Sequence, residues 1–404
     1  MTDTKRDIVI AGGGIAGLTA AAAFGAAGFK VICADPAPPV TDRDSDGADL
    51  RTTALLQPAR KLLETAGLWD SLEPHAKPLE VMRIVDAGGE VPEPRISKDF
   101  KASDISELPF GWNLPNWLLR REIVARLGEM ETVEFRPGTA ATSLFTREGE
   151  ARVGLSDGTR LRARLVIAAD GRNSTMRAAA GISVRTTRYG QKALAFAVTH
   201  PTPHENVSTE IHRTGGPFTL VPLPDHEGQP SSAVVWMDDG AKSQARLEMP
   251  ADVFEAELSE RSCHLFGPLT LASRRSIWPI ISQQAVRFSG ERLALIAEAA
   301  HVVPPIGAQG LNMSLADTAE LLALANARSD DLGDRKMLDA YHKTRFADVS
   351  LRVHGIDLLN RASQISAPLL RDARALGLEG LYALGPVRRT LMQLGLGVRV
   401  TTRG

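Results

Sequence analysis

Residues 7–35 read DIVIAGGGIAGLTAAAAFGAAGFKVICAD, and this stretch decides the fold of the amino-terminal region. It predicts a short apolar strand at residues 8–10, a glycine-rich turn, and a helix of small residues that begins near Ile15. A second apolar strand follows and ends at Asp35. This order of strand, tight turn, helix and strand is typical of a βαβ unit that binds a dinucleotide.

The glycines of this turn have the spacing GxGxxG, and they are Gly12, Gly14 and Gly17. The first glycine permits the turn, the second lets a pyrophosphate approach the backbone, and the third lets the helix pack closely on the strand. At the helix start, the amides near Ile15 and Ala16 would face the phosphates, where the helix dipole favours negative charge. Asp35 stands where an acidic side chain would hold a ribose hydroxyl. The motif predicts a dinucleotide without separating FAD from NAD.

Length and composition limit the other possibilities. A chain of 404 residues has room for two or three domains, and its formal charge of −1 gives no general attraction for nucleic acid. Cys33 and Cys263 lie far apart, so we expect no disulfide framework, no zinc or other metal site, and a cytoplasmic protein. Residues 8–29 lack charge, but six glycines interrupt them, which argues against a transmembrane helix.

The middle of the chain adds a second motif and a change of pattern. An apolar strand at residues 165–169 ends in Asp170 and Gly171, which open the sequence DGRNSTMR, a DGxxSxxR motif. Between residues 192 and 238, short β-rich segments are separated by Pro, Gly or Asp turns, which predicts an antiparallel sheet in a second domain. We also expect a helix at residues 252–267, and a loop followed by an amphipathic helix at residues 51–70.

With these motifs, the chain resembles the flavin-dependent aromatic hydroxylases with a para-hydroxybenzoate-hydroxylase-like fold, and within them the ubiquinone-biosynthesis hydroxylases. The resemblance rests on GGGIAG, RTTALLQPARKLLETAGLWD, the DG segment, RYGQKALAFAV, AEAAHVVPPIGAQGLN and the tail from Arg352 through Gly397. It implies an α/β fold with an α+β second domain. A Rossmann-like FAD-binding domain would carry an inserted antiparallel β-sheet substrate domain and a C-terminal helical segment.

The resemblance also implies domain boundaries. The FAD-binding domain would comprise residues 1–73, 112–182 and 284–350, the substrate domain residues 74–111 and 183–283, and the helical segment residues 351–404.

The resemblance assigns FAD-binding roles to residues that match the family's motifs. Gly12, Gly14 and Gly17 would line the pyrophosphate, with Asp35 on the adenosine ribose. Arg51 matches the basic residue near the phosphates, and Asn116 matches a side chain that meets the ribityl region. Asp170 and Gly171 match the DG pair, which in the family touches both FAD and the nicotinamide donor.

Residues 297–313, AEAAHVVPPIGAQGLNM, match the part of the family's site beside the flavin ring. Glu298 would hold a ribityl hydroxyl, and Pro305 would lie beside the ring. The amides of Gly310, Leu311 and Asn312 would point at its pyrimidine edge, where a helix start stabilises the reduced flavin.

This stretch departs from the family in two places. Ala297-Glu298 replaces the usual Gly-Asp, and Ala308 stands where many relatives carry glycine. We expect His301 to be a packed, hydrogen-bonded residue rather than a catalyst.

The reaction implied by the resemblance is hydroxylation of a polyprenyl phenol of ubiquinone biosynthesis, through a C4a-hydroperoxide of the flavin. The partners would be O2, a lipid-linked phenol, and NAD(P)H or a partner protein as electron donor; other quinone-biosynthesis proteins or a second copy of the chain are further possibilities. The catalytic side chain stays unknown. Tyr189, His212 and Trp236 are candidates for assisting phenol deprotonation by residue type alone.

Several alternatives remain open. They are a hydroxylase of a soluble aromatic, a flavoprotein reductase acting on isoprenoid lipids, and a binding protein that has lost FAD. A flavin-dependent halogenase fits poorly, because Trp278-Pro279-Ile280 does not satisfy its WxWxIP motif. Residues 366–403 combine leucine-rich patches with arginines, which is typical of a helix at a membrane surface or of one packed on the flavin domain.

Overall fold

The computed structural model describes residues 4–87, 91–213, 216–364, 382 and 384–396. Its helices are α1 (Ile15–Ala26), α2 (Gln57–Thr65), α3 (Trp69–Leu72), α4 (Asn116–Gly128), α5 (Thr175–Ala179), α6 (Gly240–Glu248), α7 (Ala251–Arg261), α8 (Gln309–Ala327), α9 (Arg335–Ser363) and α10 (Gly385–Leu396). Short 3-10 turns lie at Glu73–His75, Ala102–Asp104, Ala297–Ala299 and Ser329–Asp331.

The first eleven strands are β1 (Thr4–Ala11), β2 (Val31–Asp35), β3 (Thr52–Leu56), β4 (Lys77–Leu79), β5 (Val81–Asp86), β6 (Ile96–Lys101), β7 (Gly111–Pro115), β8 (Val133–Pro137), β9 (Ala141–Arg147), β10 (Glu150–Leu155) and β11 (Arg160–Ala168). The later strands are β12 (Val184–Thr199), β13 (Val207–His212), β14 (Pro217–His226), β15 (Gln229–Asp239), β16 (Thr270–Leu271), β17 (Ser276–Ala285), β18 (Ser289–Gly290), β19 (Leu293–Leu295) and β20 (His301–Val302).

The first sheet is the expected Rossmann-like layer. Its strand order is β18-β19-β11-β1-β2-β8, with β19, β11, β1, β2 and β8 parallel and the β9–β10 ribbon attached to β11. Helix α1 lies between this sheet and helices α4 and α8, and its residues from Leu18 to Phe24 are fully buried. Such a helix must be apolar all round, which explains its run of alanines.

A second sheet has the order β20-β17-β12-β15-β14-β13-β5-β6. Its strands are antiparallel as expected, except that β5 and β13, which come from separate segments of the chain, pair in parallel. A third sheet, β3-β7-β4, was not foreseen. The prediction of a loop at the start of residues 51–70 was therefore wrong, because Thr52–Leu56 pairs with the distant strand β7.

The helix expected at residues 252–267 is shorter in the structure. Helix α7 covers Ala251–Arg261 and ends because Cys263 and His264 both adopt positive φ angles, of 55° and 52°. Left-handed backbone cannot continue a right-handed helix.

Helix α9 spans both large sheets. Near its start, the Tyr341 hydroxyl donates to the carbonyl of Leu295 in the first sheet, at 2.7 Å. Near its end, Asp357 accepts a hydrogen bond from Tyr189 at 2.6 Å, and Asn360 donates to Gln191 at 3.1 Å. Both of these partners belong to β12 of the second sheet. The helix therefore ties the two sheets to one another.

No helix in the described part of the chain is long and apolar enough to cross a membrane.

Candidate active site

The start of helix α1 shows a different use for each glycine. Gly12 has a φ of +107°, and a Cβ there would collide with the backbone of Ala169. A Cβ on Gly17 would meet the carbonyl of Gly12. Around Gly14, by contrast, no atom lies within 4 Å of the position of a Cβ. Two of the glycines are therefore needed for packing, and Gly14 leaves open space before the helix.

A second helix start faces the same space. Helix α8 begins at Gln309, and Ala308 before it has a φ of 56° and provides no side-chain cap. Helix α1 also has no side-chain cap at Gly14. The free N–H groups at each start and the positive ends of both helix dipoles favour an anion or an electron-rich ring.

Both helix starts line one cavity of about 700 Å³, which lies between the first and second sheets. Eleven of the fifteen residues predicted to bind the cofactor line it: Gly14, Ile15, Ala16, Gly17, Arg51, Asn116, Gly171, Glu298, Pro305, Gly310 and Leu311. The fold thus brings together segments that are as much as 297 positions apart, from Gly14 to Leu311. A volume of this size is typical of a cofactor or substrate site.

The other four predicted residues, Gly12, Asp35, Asp170 and Asn312, do not line the cavity. The Asp35 carboxylate accepts hydrogen bonds from the backbone N–H groups of Gly13 at 2.5 Å and Ala37 at 2.9 Å. It therefore stabilises the backbone of the glycine turn without facing the cavity. A direct bond from Asp35 to a ribose stays a prediction.

Asp170 and Asn312 support the site from the side. Asp170 Oδ2 accepts from the backbone of Met176 at 3.0 Å, while Oδ1 is buried without a hydrogen-bond partner in the described chain. The Asn312 side chain accepts from the N–H of Leu56 at 2.8 Å and donates to the carbonyl of Ala54 at 2.7 Å. Asn312 thereby fastens strand β3 to the start of helix α8.

Arg51 and Asn116 are organised by one carboxylate. Asp49 accepts two hydrogen bonds from the Arg51 guanidinium, both at 2.7 Å, and one from Asn116 at 3.0 Å. Burial alone would raise the pKa of Asp49, but these hydrogen bonds and the charge of Arg51 lower it overall. The ionised Asp49 therefore holds both side chains at the cavity wall.

The turn that carries Glu298 is held by a buried ion network. Ala297 has a φ of 55°, and its N–H donates to Asp317 Oδ2 at 3.1 Å. Asp317 is fully buried, 2.7 Å from His301 Nε2 and 2.8 Å from Arg345 Nε. Burial raises the pKa of Asp317, but His301 and Arg345 outweigh it and lower the pKa. His301 is buried and hydrogen-bonded, as expected, and Glu298 itself is exposed to the cavity.

The DGxxSxxR motif fixes the same turn from its other side. Ser174 caps helix α5 by accepting from the N–H of Arg177 at 2.9 Å. The buried Arg177 guanidinium then donates to the carbonyls of Ala299 at 2.8 Å and Arg172 at 2.7 Å. These hydrogen bonds explain the spacing of the motif, because they let Arg177 join the DG segment to the turn that carries Glu298.

These features fit FAD. The helix α1 start and Arg51 offer N–H donors and positive charge for a pyrophosphate, with open space at Gly14. The helix α8 start suits the electron-rich pyrimidine edge of a flavin. The exposed Glu298 carboxylate can accept a hydrogen bond from a hydroxyl.

The three side chains that were candidates for phenol deprotonation by residue type lie outside the cavity lining. Trp236 is buried in a hydrophobic cluster formed by the second sheet and helix α7. Burial and the Asp357 carboxylate raise the pKa of Tyr189 to about 12, which makes it a poor proton acceptor near neutral pH. His212 is hydrogen-bonded to Glu210 at 2.7 Å.

Sequence reasoning missed three carboxylates. Asp49 lies two residues before Arg51, but the neighbouring sequence does not show that its side chain would face the cavity. Asp317 reads as an ordinary helix residue, since its partners come from other elements. Glu210 lies in a short strand that could face either side of the sheet.

Comparison with known proteins agrees with this geometry. Residues 5–353 match the family model described as an FAD binding domain. The chain is 33% identical to a ubiquinone hydroxylase of Rhodospirillum rubrum over 98% of this chain and 90% of that protein. It is 27% identical to the 3-demethoxyubiquinol 3-hydroxylase of Escherichia coli, over 98% of this chain and 100% of that protein.

Among solved structures, p-nitrophenol 4-monooxygenase from Pseudomonas putida has the same fold. Its TM-score is 0.79 at 20% identity, and the match covers 98% of this chain and 100% of that one. The family model and these relatives span nearly the whole chain, including every segment that lines the cavity. The chain therefore belongs to the family of the FAD binding domain, and it is an FAD-dependent monooxygenase.

Proposed function

We propose that this monooxygenase hydroxylates the ring of a polyprenyl phenol in ubiquinone biosynthesis. The observation that carries the proposal is the 33% identity, over 98% of the chain, to a protein named as a ubiquinone hydroxylase. The cavity supports it, because the second sheet presents mainly small and apolar residues such as Ala195, Val221 and Val235. An apolar wall suits an alkylated aromatic ring.

The residues of the chain have distinct tasks in this reaction. FAD, when bound, supplies the electron transfer and the activation of O2. Glu298, Arg51 and the two helix starts bind and orient the cofactor, while the apolar side chains of the second sheet exclude water from the ring. We infer that NAD(P)H or a partner protein delivers electrons by transient contact, since the sequence has no second GxGxxG motif after a strand.

We further propose peripheral contact with the membrane, from which a polyprenyl substrate must be drawn. Most of residues 366–403 lies outside the described residues. Within the described part, helix α10 packs Met392 and Leu396 against Phe100 and Phe110, which agrees with a packed helix for those two residues. Helix α9 leaves apolar side chains in solvent, with Leu351 71% and Leu358 70% exposed. Exposed leucines on one helix support contact with lipid.

Deletion of the gene tests the reaction. The deletion strain should accumulate an under-hydroxylated polyprenyl phenol and lose ubiquinone, and a plasmid with the wild-type gene should restore it. A matched plasmid carrying Gly14→Val, which fills the phosphate space, should fail to do so. Normal ubiquinone levels in the deletion strain, with no paralogue present, would refute the assignment and favour a soluble aromatic substrate.

Flotation with liposomes that contain anionic lipid tests the membrane contact. Wild-type protein should float with the vesicles, and Leu351→Glu/Leu358→Glu should remain at the bottom with its FAD absorbance unchanged. As a control, Val253→Glu alters an exposed apolar residue on helix α7 and should leave flotation intact. Equal flotation of the double variant and the wild type would contradict a role for this face.

A further inference from the structure

Six strands of the second sheet, β5, β12, β13, β14, β15 and β17, contribute one ionisable residue to the wall of the cavity. We define the sheet wall as the lining residues contributed by β5, β12, β13, β14, β15 and β17, within the described chain. They are Val81, Met82, Ala195, Phe196, Ser208, Glu210, Thr219, Val221, Ala233, Val234, Val235, Trp278, Pro279, Ile280 and Ile281. The carboxylate of Glu210 is therefore the only formal charge on a surface that is otherwise apolar or hydroxyl-bearing.

Strand register directs Glu210 towards the cavity. Alternate residues of a strand face opposite sides of a sheet. Thr209 and Ile211 are fully buried on one side, whereas Ser208 and Glu210 line the cavity on the other. Thr219, the partner of Glu210 on β14, also lines the cavity. The placement of Glu210 thus follows from the pairing of strands.

Within the part of the chain that the structure describes, His212 contacts one oxygen of Glu210, and the other oxygen has no hydrogen-bond partner. Glu210 Oε1 lies 2.7 Å from His212 Nε2, two residues further along the same face. His212 Nδ1 is buried without a hydrogen-bond partner in the described chain. A hydrogen on that nitrogen would be a buried donor without an acceptor, so the tautomer with hydrogen on Nε2 fits best. His212 then orients Glu210 while the pair keeps its negative charge.

We call the helix starts and turns opposite the sheet wall the flavin side of the cavity. In the described chain, Arg51, Arg120 and Arg172 line the cavity from that side. The Arg51 guanidinium lies over the Trp278 ring, 5.3 Å from its centroid, but it is paired with Asp49, and His301 on β20 is paired with Asp317. Within the described residues, no cation of the sheet wall could neutralise an anionic substrate. A ring carboxylate beside Glu210 would lose its hydration and meet a like charge. A phenolic hydroxyl could instead donate a hydrogen bond to the free Glu210 oxygen.

We propose that Glu210 determines substrate specificity by accepting a hydrogen bond from the hydroxyl of a neutral phenol and by excluding ring carboxylates. The proposal rests on the proposed function, which it narrows from aromatic rings in general to uncharged hydroxyaromatics. By charge alone, Glu210 would distinguish a prenylated phenol without a carboxylate from a hydroxybenzoate.

Ligand titration of the FAD-loaded protein, followed by the change in flavin absorbance, tests this inference. The probes are 4-propylphenol and 4-hydroxybenzoate. The wild type should bind 4-propylphenol much more tightly than 4-hydroxybenzoate. In Glu210→Gln, which keeps an oxygen for His212, phenol affinity should fall about 10- to 100-fold, the range for a hydrogen bond to a charged group. Benzoate affinity should rise, and Glu291→Gln, which changes an exposed carboxylate outside the cavity lining, should keep the wild-type preference.

The possible failures are distinguishable. If the wild type binds phenol but Glu210→Gln has the same ratio of phenol to benzoate affinity, the inference is wrong and the proposed function stands. Equal binding of both probes by the wild type overturns the inference without any variant. If neither probe perturbs the wild-type flavin, the proposed function fails as well.

Discussion

The two sides of the cavity differ in charge and in the way the chain builds them. The flavin side consists of helix starts, left-handed turns and ion pairs, and it includes the buried network of Asp317, His301 and Arg345. The sheet wall consists of side chains on regular strands, with Glu210 as its one charge within the described chain. The backbone therefore shapes the first side, and strand register determines what the second side presents.

This difference separates two kinds of requirement. A dinucleotide cofactor needs a particular backbone shape, which demands glycines, caps and buried anchors. A substrate needs a complementary surface, which can be changed one side chain at a time without disturbing the strands. Substitutions on the flavin side should therefore alter stability or FAD binding, and those on the sheet wall should alter ligand preference alone.

The largest effect should come from Asp317→Ala. It removes the fully buried carboxylate of an ion network and leaves Arg345 with the partly exposed Asp348 as its carboxylate partner, which costs about 3–5 kcal/mol. The free energy of unfolding of the apoprotein, measured by denaturant titration, should fall by that amount. The exposed Asp330→Ala is the control and should change it little. Wild-type stability in Asp317→Ala would show that this network does not support the site.

Glu298→Ala should weaken FAD binding by about 1.5–3 kcal/mol, the range for a hydrogen bond to a charged group. Glu298→Asp should bind FAD as well as the wild type, because aspartate is the family's usual residue there. Calorimetric titration of the apoprotein measures both. Glu291→Ala, an exposed residue outside the cavity lining, serves as the control. Unchanged affinity in Glu298→Ala would remove this residue from the cofactor site.

Gly14→Val should weaken FAD binding by about 1–3 kcal/mol, the cost of filling space that a ligand requires. The fold should survive, because no atom lies within 4 Å of the Cβ position at Gly14. Gly12→Ala should instead destabilise the apoprotein, since its Cβ would collide with Ala169. Circular dichroism melting and FAD titration on both variants separate the two effects. Loss of stability in Gly14→Val would contradict the distinction between the two glycines.

The smallest expected effect is a gain in stability on substitution of Ala308. Ala308 has a φ of 56°, a left-handed conformation that costs a residue with a side chain about 1–2 kcal/mol. Glycine relieves that cost but makes the unfolded chain more flexible, so Ala308→Gly should raise the free energy of unfolding by about 0.5–1 kcal/mol. Ala319→Gly, inside the following helix α8, should lower the free energy of unfolding by about 1 kcal/mol. A decrease in both variants would show that Ala308 is not strained.

The sequence was informative wherever function constrains the local backbone. GGGIAG, the DG segment and PPIGAQGLN could be recognised because each motif forms one turn and the helix that follows it. Glu210 could not be recognised, since its direction depends on pairing with β14 and β5, which are formed by other segments of the chain. The strand at Thr52–Leu56 was missed for the same reason, and Asp317 because its partner Arg345 lies on a different helix.

The geometry of the cavity depends on the directions in which side chains of helix α9 point around its axis. Tyr341 meets the first sheet, and Asp357 and Asn360 meet the second, so the number of residues between them determines the direction in which each side chain points. One residue inserted between them would advance the later contacts by about 1.5 Å and rotate them by about 100°, out of reach of β12. An insertion of about one full turn would restore their direction but displace them along the axis by more than 5 Å. The number of residues between these contacts on helix α9 therefore fixes the spacing of the two sheets, and with it the space left for a substrate ring. No described residue of this helix lines the cavity.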